Sequence, residues 1–183
     1  MLERTRESDL GGGLRLVDLP AQSRVAEFGF QFPIAAALQE LRTACAMHGF
    51  ADIWPAHLRA HELRGMLTGF ADLVFVFDGR YHVLDYKTNR LGTRLSDYAG
   101  ATLDAAMAEH FYPLQALLYT VALHRYLRGR LRDYSPERHL GDSVYLFLRG
   151  VGLAPGAGVW RRHWPAKLIL DLDDVFAGAE MAA

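Results

Sequence analysis

Residues 69–89 read GFADLVFVFDGRYHVLDYKTN, and this stretch decides the fold. It holds two runs of β-forming residues, 70–77 and 80–87, separated by the dipeptide Asp78-Gly79. That dipeptide favours a two-residue type I′ turn, because both central positions of such a turn require a positive φ. The stretch therefore predicts a β-hairpin, and its mostly apolar strands predict a central position in a sheet that is covered on both faces.

A two-residue turn fixes which residues face each other across the hairpin. Counting outward from Asp78 and Gly79 places Asp72 opposite Asp85, and strand alternation places Lys87 on the same face as Asp85. Like charges at facing positions are destabilising, so we expect a cation beside the two carboxylates. Hard carboxylate oxygens suit Mg²⁺ or Mn²⁺ better than Zn²⁺. An ordinary ion pair between Asp72 and Lys87, with Asp85 capping a turn, is an alternative that the spacing leaves open.

The composition predicts one globular domain in a reducing compartment. The chain has 183 residues, of which 51% are hydrophobic and 22% are charged, and this is enough to bury a single core. Cys45 is the only cysteine, so no intrachain disulfide can form. No apolar run reaches the length of a membrane span, and the charged N-terminus lacks the apolar stretch of a secretion signal. We therefore expect a soluble, cytoplasmic protein without membrane contact.

The charge pattern limits how the chain could contact nucleic acid. A formal net charge of −1 argues against a globally basic binder, so any nucleic-acid surface must be local. Basic residues cluster in three places: Lys87 with Arg90 and Arg94, residues 125–132, and residues 160–163. Each cluster taken alone is typical of a solvated helix or strand face.

Outside the hairpin, the sequence predicts a flexible lead-in at residues 1–22 and a folded domain at residues 23–183. Periodicity predicts a strand at 24–32, a helix that begins at Pro33 and ends near Gly49, and a helical region at 103–127 that Pro113 starts anew or kinks and Gly129 ends. Strands at 143–149 and 159–163 and a helix at 165–177 follow. This order predicts an α/β fold, in which a small mixed sheet around the central hairpin is flanked by helices.

Three segments resemble the RecB-like branch of the PD-(D/E)XK nuclease superfamily. They are Gly69 to Phe75, Leu84 to Asn89 with Leu91-Gly92, and Tyr112 to Tyr119. Asp85-Tyr86-Lys87 resembles the D-x-K element, and Asp72 resembles the aspartate that precedes it. The resemblance extends from about Glu27 to Ala177, includes Tyr145 to Gly150, and implies a restriction-endonuclease-like fold.

The resemblance also implies roles for the residues of the hairpin. Asp72, Asp85 and the main-chain carbonyl of Tyr86 would hold Mg²⁺, for which Mn²⁺ could substitute. Lys87 would position or activate the attacking water. A bound divalent ion lowers the pKa of its water and neutralises charge that develops on the phosphate.

Gln115 and Tyr119 resemble the Q-x-x-x-Y motif of this branch. They lie four residues apart on a predicted helix and so share one face, where the resemblance implies that they contact DNA or orient Lys87. The implied activity is that of a metal-dependent DNA exonuclease domain in a RecB-type helicase-nuclease, with RecC-like and RecD-like partner subunits. The chain has no P-loop, so ATP-driven unwinding would come from elsewhere.

The sequence departs from the family at one metal ligand. The family draws a further ligand, commonly a histidine, from a helix upstream of the hairpin, and no matching pattern is present here. Glu40 and His48 are the candidate substitutes, while His57 and His61 have the i, i+4 spacing of a metal pair but lack a third ligand. We therefore expect a domain without the upstream ligand helix, with weak or absent activity in isolation and a tendency to self-associate through the uncovered surface.

Two other functions stay open at this point. A catalytically silent docking or DNA-guiding module of the same complex would explain the missing ligand, whereas the retained aspartates, lysine, glutamine and tyrosine argue against it. An RNA-processing nuclease is also compatible with the chemistry, since nothing in the sequence distinguishes a 2′-hydroxyl.

Overall fold

A computed structural model of the chain describes residues 2–55 and 62–177. Five strands and six helices are described: α1 (Leu2–Glu7), β1 (Arg24–Ala37), α2 (Leu38–Met47), β2 (Glu62–Phe77), β3 (Arg80–Lys87), α3 (Gly100–Glu109), α4 (Tyr112–Arg128), α5 (Pro136–His139), β4 (Leu140–Phe147), β5 (Val159–Arg162) and α6 (Ala166–Ala177). Short 3-10 turns lie at Leu16–Asp18, Ala21–Ser23, Ala51–Ile53 and Leu95–Tyr98. No helix in these two ranges is long and apolar enough to cross a membrane.

The strands form one mixed sheet in the order β1-β2-β3-β4-β5. Only the β3–β4 pair is parallel, and its crossover contains α3, α4 and α5. The other three pairs are antiparallel. The predicted α/β class, with a small mixed sheet around a central hairpin, is confirmed.

The hairpin has the predicted turn and register. Asp78 and Gly79 have φ values of 49° and 72°, so both central residues are left-handed, as a type I′ turn requires. Phe77 pairs with Arg80 and Leu73 pairs with Leu84. Strand β3 is central, since β2 and β4 lie on either side of it.

The two faces of the sheet are covered by different parts of the chain. One face packs against α2, α4 and α6 and forms the larger core, to which Val83 and Tyr145 contribute. The other face packs against the N-terminal segment, where four leucines are buried: Leu10, Leu14, Leu16 and Leu19. The segment expected to be a flexible lead-in therefore contributes to a second core. Its leucines follow neither a helical nor a strand period and lie among glycines, which is why the pattern did not predict burial.

The first strand is longer than predicted. Strand β1 continues through Pro33, which pairs with Met66, and helix α2 starts only at Leu38, so the prediction of a helix beginning at Pro33 is wrong. Proline lacks an N–H donor but is tolerated in an edge strand, and β1 is at the edge of the sheet.

The predicted helical region at 103–127 consists of two helices. Phe111 has a φ of 54° and separates α3 from α4, and Pro113 lies in the first turn of α4, where its missing N–H costs nothing. Gly129 caps the end of α4, as predicted. This break directs the N-terminal half of α4 across the end of β3 that carries the hairpin aspartate and lysine.

Candidate active site

The two hairpin aspartates lie just beyond the last recorded pair of the β2–β3 ladder, Leu73 with Leu84. The same register places Asp72 opposite Asp85. The Asp72 side chain is exposed, and its Oδ2 accepts a hydrogen bond from the main-chain N–H of Tyr86 at 2.7 Å. Asp72 is therefore tied to the strand that carries Asp85.

Asp85 is buried and ion-paired with Lys87. The residue is 5% exposed, and its Oδ2 lies 2.6 Å from the Lys87 Nζ. Burial raises the pKa of the Asp85 carboxyl, the hydrogen bond and charge of Lys87 oppose that rise, and the negative charge of Asp72 adds to it. The alternative in which Lys87 pairs with Asp72 and Asp85 caps a turn does not occur, because Lys87 pairs with Asp85 and Asp72 binds the Tyr86 N–H.

Helix α4 adds Gln115 and Tyr119 to this cluster. The Gln115 Oε1 accepts a hydrogen bond from the Lys87 Nζ at 3.0 Å, and its Nε2 donates to the Tyr119 hydroxyl at 2.9 Å. Burial, followed by the charge of Asp85, raises the pKa of Tyr119 to about 12, so its phenol stays neutral at ordinary pH. Both motif residues therefore share a face of α4, as predicted, and reach the lysine through the Gln115 amide.

Two tyrosines that the sequence did not single out complete the environment of Lys87. Tyr145 of β4 is fully buried, pairs with Asp85 in the parallel ladder, and donates its hydroxyl proton to the Gln115 Oε1 at 3.0 Å. Tyr112 of α4 places its ring centroid 3.9 Å from the Lys87 Nζ, within the range of a cation–π contact. Lys87 is thus fixed by a carboxylate, an amide oxygen and an aromatic face.

The register also brings a third carboxylate into the same row of the sheet. Glu27 of β1 lies between the pairs Ala26–Leu73 and Phe28–Ala71 and so faces Asp72, with a φ of 52°. The sequence could not place it there, because β1 and β2 are joined by a long connection that includes α2, and no short turn motif fixes their register. Within residues 2–55 and 62–177, however, no three His, Cys, Asp or Glu side chains converge as a metal-binding group.

The proposed substitutes for the upstream ligand lie apart from this cluster. His48 follows α2, and its Nε2 lies 2.7 Å from the Asp171 Oδ2 of α6, while Glu40 is exposed on α2. His57 and His61 lie outside the described residues. Neither Glu40 nor His48 therefore joins the two aspartates here.

The donor set nevertheless fits a hard divalent cation. Asp72 and Asp85 supply carboxylate oxygens on neighbouring strands, and the carbonyl of Tyr86 lies between Asp85 and Lys87 in the chain. Mg²⁺ is commonly held by one or two carboxylates while it keeps several waters, so two carboxylates provide enough protein ligands of the right kind. The two facing carboxylates share one ion-paired cation, Lys87, so their negative charge is undercompensated and an added cation would offset it.

The site lies at one end of the sheet, where Asp72 is exposed while Asp85 is buried. A cleft of about 780 Å³ elsewhere on the chain is lined by Leu10, Gly11, Val159 and Arg161 among others and shares no residue with the aspartate cluster. Size alone is therefore a poor guide here, and the polar chemistry of Asp85 and Lys87 identifies the site instead.

Comparison with known proteins agrees with the fold and the motifs. Residues 15–176 match the PD-(D/E)XK nuclease superfamily, and the chain belongs to this superfamily. Its members generally use divalent metal ions.

Similar proteins are the RecB subunits of RecBCD enzymes. The chain is 43% identical over 169 residues to RecB of Escherichia coli K12, which covers 91% of this chain and 14% of that protein. It is 39% identical over 189 residues to RecB of Mycobacterium tuberculosis, and this match covers 88% of this chain and 17% of that protein. It is 35% identical over 164 residues to RecB of Haemophilus influenzae, and this match covers 90% of this chain and 14% of that protein. The chain thus spans only 14% to 17% of the length of these relatives.

Proposed function

We propose that the chain is a Mg²⁺-dependent deoxyribonuclease domain that hydrolyses DNA phosphodiester bonds as part of a RecB-type helicase-nuclease in recombinational double-strand break repair. The observation that carries the proposal is the geometry of Asp85, a buried carboxylate that faces Asp72 across the hairpin and holds the Lys87 Nζ at 2.6 Å. Asp72, Asp85 and the Tyr86 carbonyl are the proposed ligands of the ion.

The chemistry is attack of a water oxygen on phosphorus, with cleavage of one P–O ester bond to give a phosphate monoester and a free hydroxyl. The bound ion would supply electrostatic stabilisation of the phosphate and a more acidic water. Lys87 is held at 3.0 Å from Gln115 and 2.6 Å from Asp85. In this proposal its positive charge would lie near the phosphoryl oxygens as they gain negative charge. Gln115 accepts a hydrogen bond from Lys87 and donates one to Tyr119, and both Gln115 and Tyr119 are the proposed DNA contacts.

Degradation of end-labelled linear DNA in Mg²⁺ or Mn²⁺ tests this function. We expect at most weak, metal-dependent cleavage by the isolated chain, and its loss in Asp85→Ala and Lys87→Ala. Lys167→Ala is the matched control, because Lys167 is the only other lysine, is exposed and pairs with Asp171. Cleavage that survives Asp85→Ala would contradict the proposal.

The competing function is a catalytically silent docking or DNA-guiding module of the same kind of complex. The observation that favours it is the absence, among the described residues, of a third metal-binding side chain near Asp72 and Asp85. A docking module has no need for a divalent ion, so a chain that neither cleaves DNA nor binds Mg²⁺ or Mn²⁺ would support this alternative.

The proposed partners are DNA and, by analogy with RecBCD enzymes, RecC-like and RecD-like subunits. The isolated chain is also expected to self-associate, because Val25, Met66 and Phe70 on β1 and β2 are 54% to 65% exposed. Light scattering over a range of concentrations measures this, and a strictly monomeric result at every concentration would contradict it.

A further inference from the structure

The three basic clusters of the sequence differ in how their charges are used. In the cluster at residues 125–132, Arg125 and Arg128 are both ion-paired with Asp173. In the cluster at 160–163, Arg161 and His163 are paired with Asp142. In each of these two clusters, part of the positive charge is therefore used in ion pairs that hold the fold together.

The cluster that follows Lys87 is different. Arg90 and Arg94 lie on an exposed loop after β3, and the fold adds Arg149 from the end of β4. Among residues 2–55 and 62–177, none of these three guanidinium groups forms an ion pair with a carboxylate. Together they line one cleft of about 320 Å³, with Gly92, Thr93 and Tyr98.

This arginine cleft is built into the end of the sheet that carries the proposed active site. The Leu148 N–H donates to the Lys87 carbonyl at 2.9 Å, and the Arg149 Nε donates to the Thr88 carbonyl at 2.9 Å. Arg149 therefore holds the chain segment that directly follows Lys87, and its remaining guanidinium N–H groups are available to a ligand.

The loop that carries Arg90 and Arg94 is also fixed. Tyr98 is buried, and its hydroxyl accepts a hydrogen bond from the Leu91 N–H at 3.3 Å. The Asp97 carboxylate accepts one from the Arg94 N–H at 2.7 Å and lies so close to Gly92 that a Cβ there would be 2.0 Å from its Oδ2. The residues that line the cleft include three arginines and no aspartate or glutamate, so the cleft is positive.

We propose that the arginine cleft binds phosphate groups of the DNA strand next to the scissile bond. The proposal rests on the nuclease function proposed above, which supplies the anionic polymer. A phosphodiester matches a fork of N–H donors, and Arg is suited to this contact because it stays charged and can bind two oxygens at once. The cleft adds affinity that does not depend on base sequence.

The test is binding of a fluorescein-labelled thymidine oligonucleotide to the full chain in EDTA, measured by anisotropy at several salt concentrations. The double substitution Arg90→Gln/Arg94→Gln is compared with Arg130→Gln/Arg132→Gln, which removes the same charge from exposed positions just beyond α4. The 17 residues of α4 separate that control from the site by about 25 Å.

We expect the Arg90/Arg94 double variant to bind about fivefold more weakly. The negative slope of log K against log salt should become shallower by about 1.4, or 0.7 for each lost phosphate contact. The control should change binding much less. Arg149→Gln should weaken binding as well, and this second variant keeps the charges of Arg90 and Arg94. Equal weakening by the control, or no binding by the parent chain, would overturn the proposal.

The cleavage assay separates this proposal from the proposed function. If the parent chain cleaves DNA but its binding is indifferent to Arg90, Arg94 and Arg149, the arginine cleft is refuted and the nuclease function stands. If binding depends on these arginines but the chain neither cleaves DNA nor binds Mg²⁺ or Mn²⁺, the phosphate site stands and the nuclease function is refuted.

Discussion

Two buried aspartates on opposite sides of α4 show how the same group can serve different purposes. Asp85 is 5% exposed and Asp173 is 2% exposed, and each contacts basic side chains. Burial raises the pKa of Asp85, and its single lysine partner does not cancel that effect. Burial would also raise the pKa of Asp173, but His124, Arg125 and Arg128 outweigh it and hold the pKa well below its ordinary value.

The pKa values of the two aspartates shift in opposite directions because the aspartates differ in their number of positively charged partners. The Asp173 Oδ1 accepts a hydrogen bond from the Arg125 Nε at 2.5 Å, its Oδ2 accepts one from Arg128, and His124 lies 3.5 Å away. Asp85 has Lys87 alone and also faces the negative charge of Asp72. The paired Asp173 cluster stabilises the fold, whereas Asp85, with fewer positive partners, is the carboxylate that we propose to bind a further cation.

The largest expected effect is on cleavage. Asp85→Asn keeps the size of the side chain but removes the charge that would hold a divalent ion, so we expect DNA cleavage to fall by about 100-fold or more. The rate of release of end label measures this. Asp171→Asn, which changes a partly exposed carboxylate on α6, is the control and should leave the rate unchanged. A variant that retains a tenth or more of the parent rate would contradict this role.

The next effect is on stability and concerns Asp173. Asp173→Asn leaves the Arg125 guanidinium, whose side chain is 14% exposed, without its carboxylate, and removing one partner of a buried pair costs about 3 kcal/mol. Urea denaturation of this variant and of Asp171→Asn measures the loss of unfolding free energy. We expect Asp171→Asn to lose clearly less. Equal losses would mean that the Asp173 cluster has no special role in the fold.

The pH dependence of stability should have the same origin. A carboxyl with a lowered folded pKa stabilises the protein above its unfolded pKa, and this contribution is lost as the pH falls through the folded value. We therefore expect the stability difference between the parent chain and Asp173→Asn to be full above about pH 4, the ordinary aspartate value, and to shrink in stronger acid. Urea midpoints at a series of pH values check this, and a difference that grows on acidification would contradict it.

The smallest effect on cleavage should come from substitution of Tyr145, whose hydroxyl helps to position Lys87 through Gln115. Tyr145→Phe keeps the buried ring but removes the hydroxyl that donates to the Gln115 Oε1, so Lys87 is held less firmly. We expect kcat to fall about fivefold, as one neutral hydrogen bond is worth about 1 kcal/mol, with KM nearly unchanged. A change confined to KM would argue for a DNA-binding role, and no change would remove Tyr145 from the site.

Much of the hairpin was predictable from the sequence, for a local reason. Asp78-Gly79 determines a two-residue turn, and that turn determines every facing pair up to Asp72 and Asp85. The proline in β1 misled the prediction because its tolerance depends on an edge position, which is a property of the whole sheet. The buried leucines of the N-terminal segment were missed because their packing partners lie on strands distant in sequence.

The partners of the site residues were less predictable than their positions. Strand alternation places Lys87 beside Asp85 but does not show which aspartate it pairs with. Tyr145 reaches Gln115 only because β4 runs parallel to β3, and the sequence contains no motif for that pairing. The same holds for Arg149, which joins Arg90 and Arg94 only through the β3–β4 ladder.

Calorimetric titration of the metal-free chain with Mn²⁺ or Mg²⁺ tests most directly whether the undercompensated charge of Asp85 makes a cation site. We predict saturable binding by the parent chain and by Asp171→Asn, and its loss in Asp85→Asn. Binding that persists unchanged in Asp85→Asn, or no binding by the parent chain, would contradict the assignment of Asp72 and Asp85 as metal ligands.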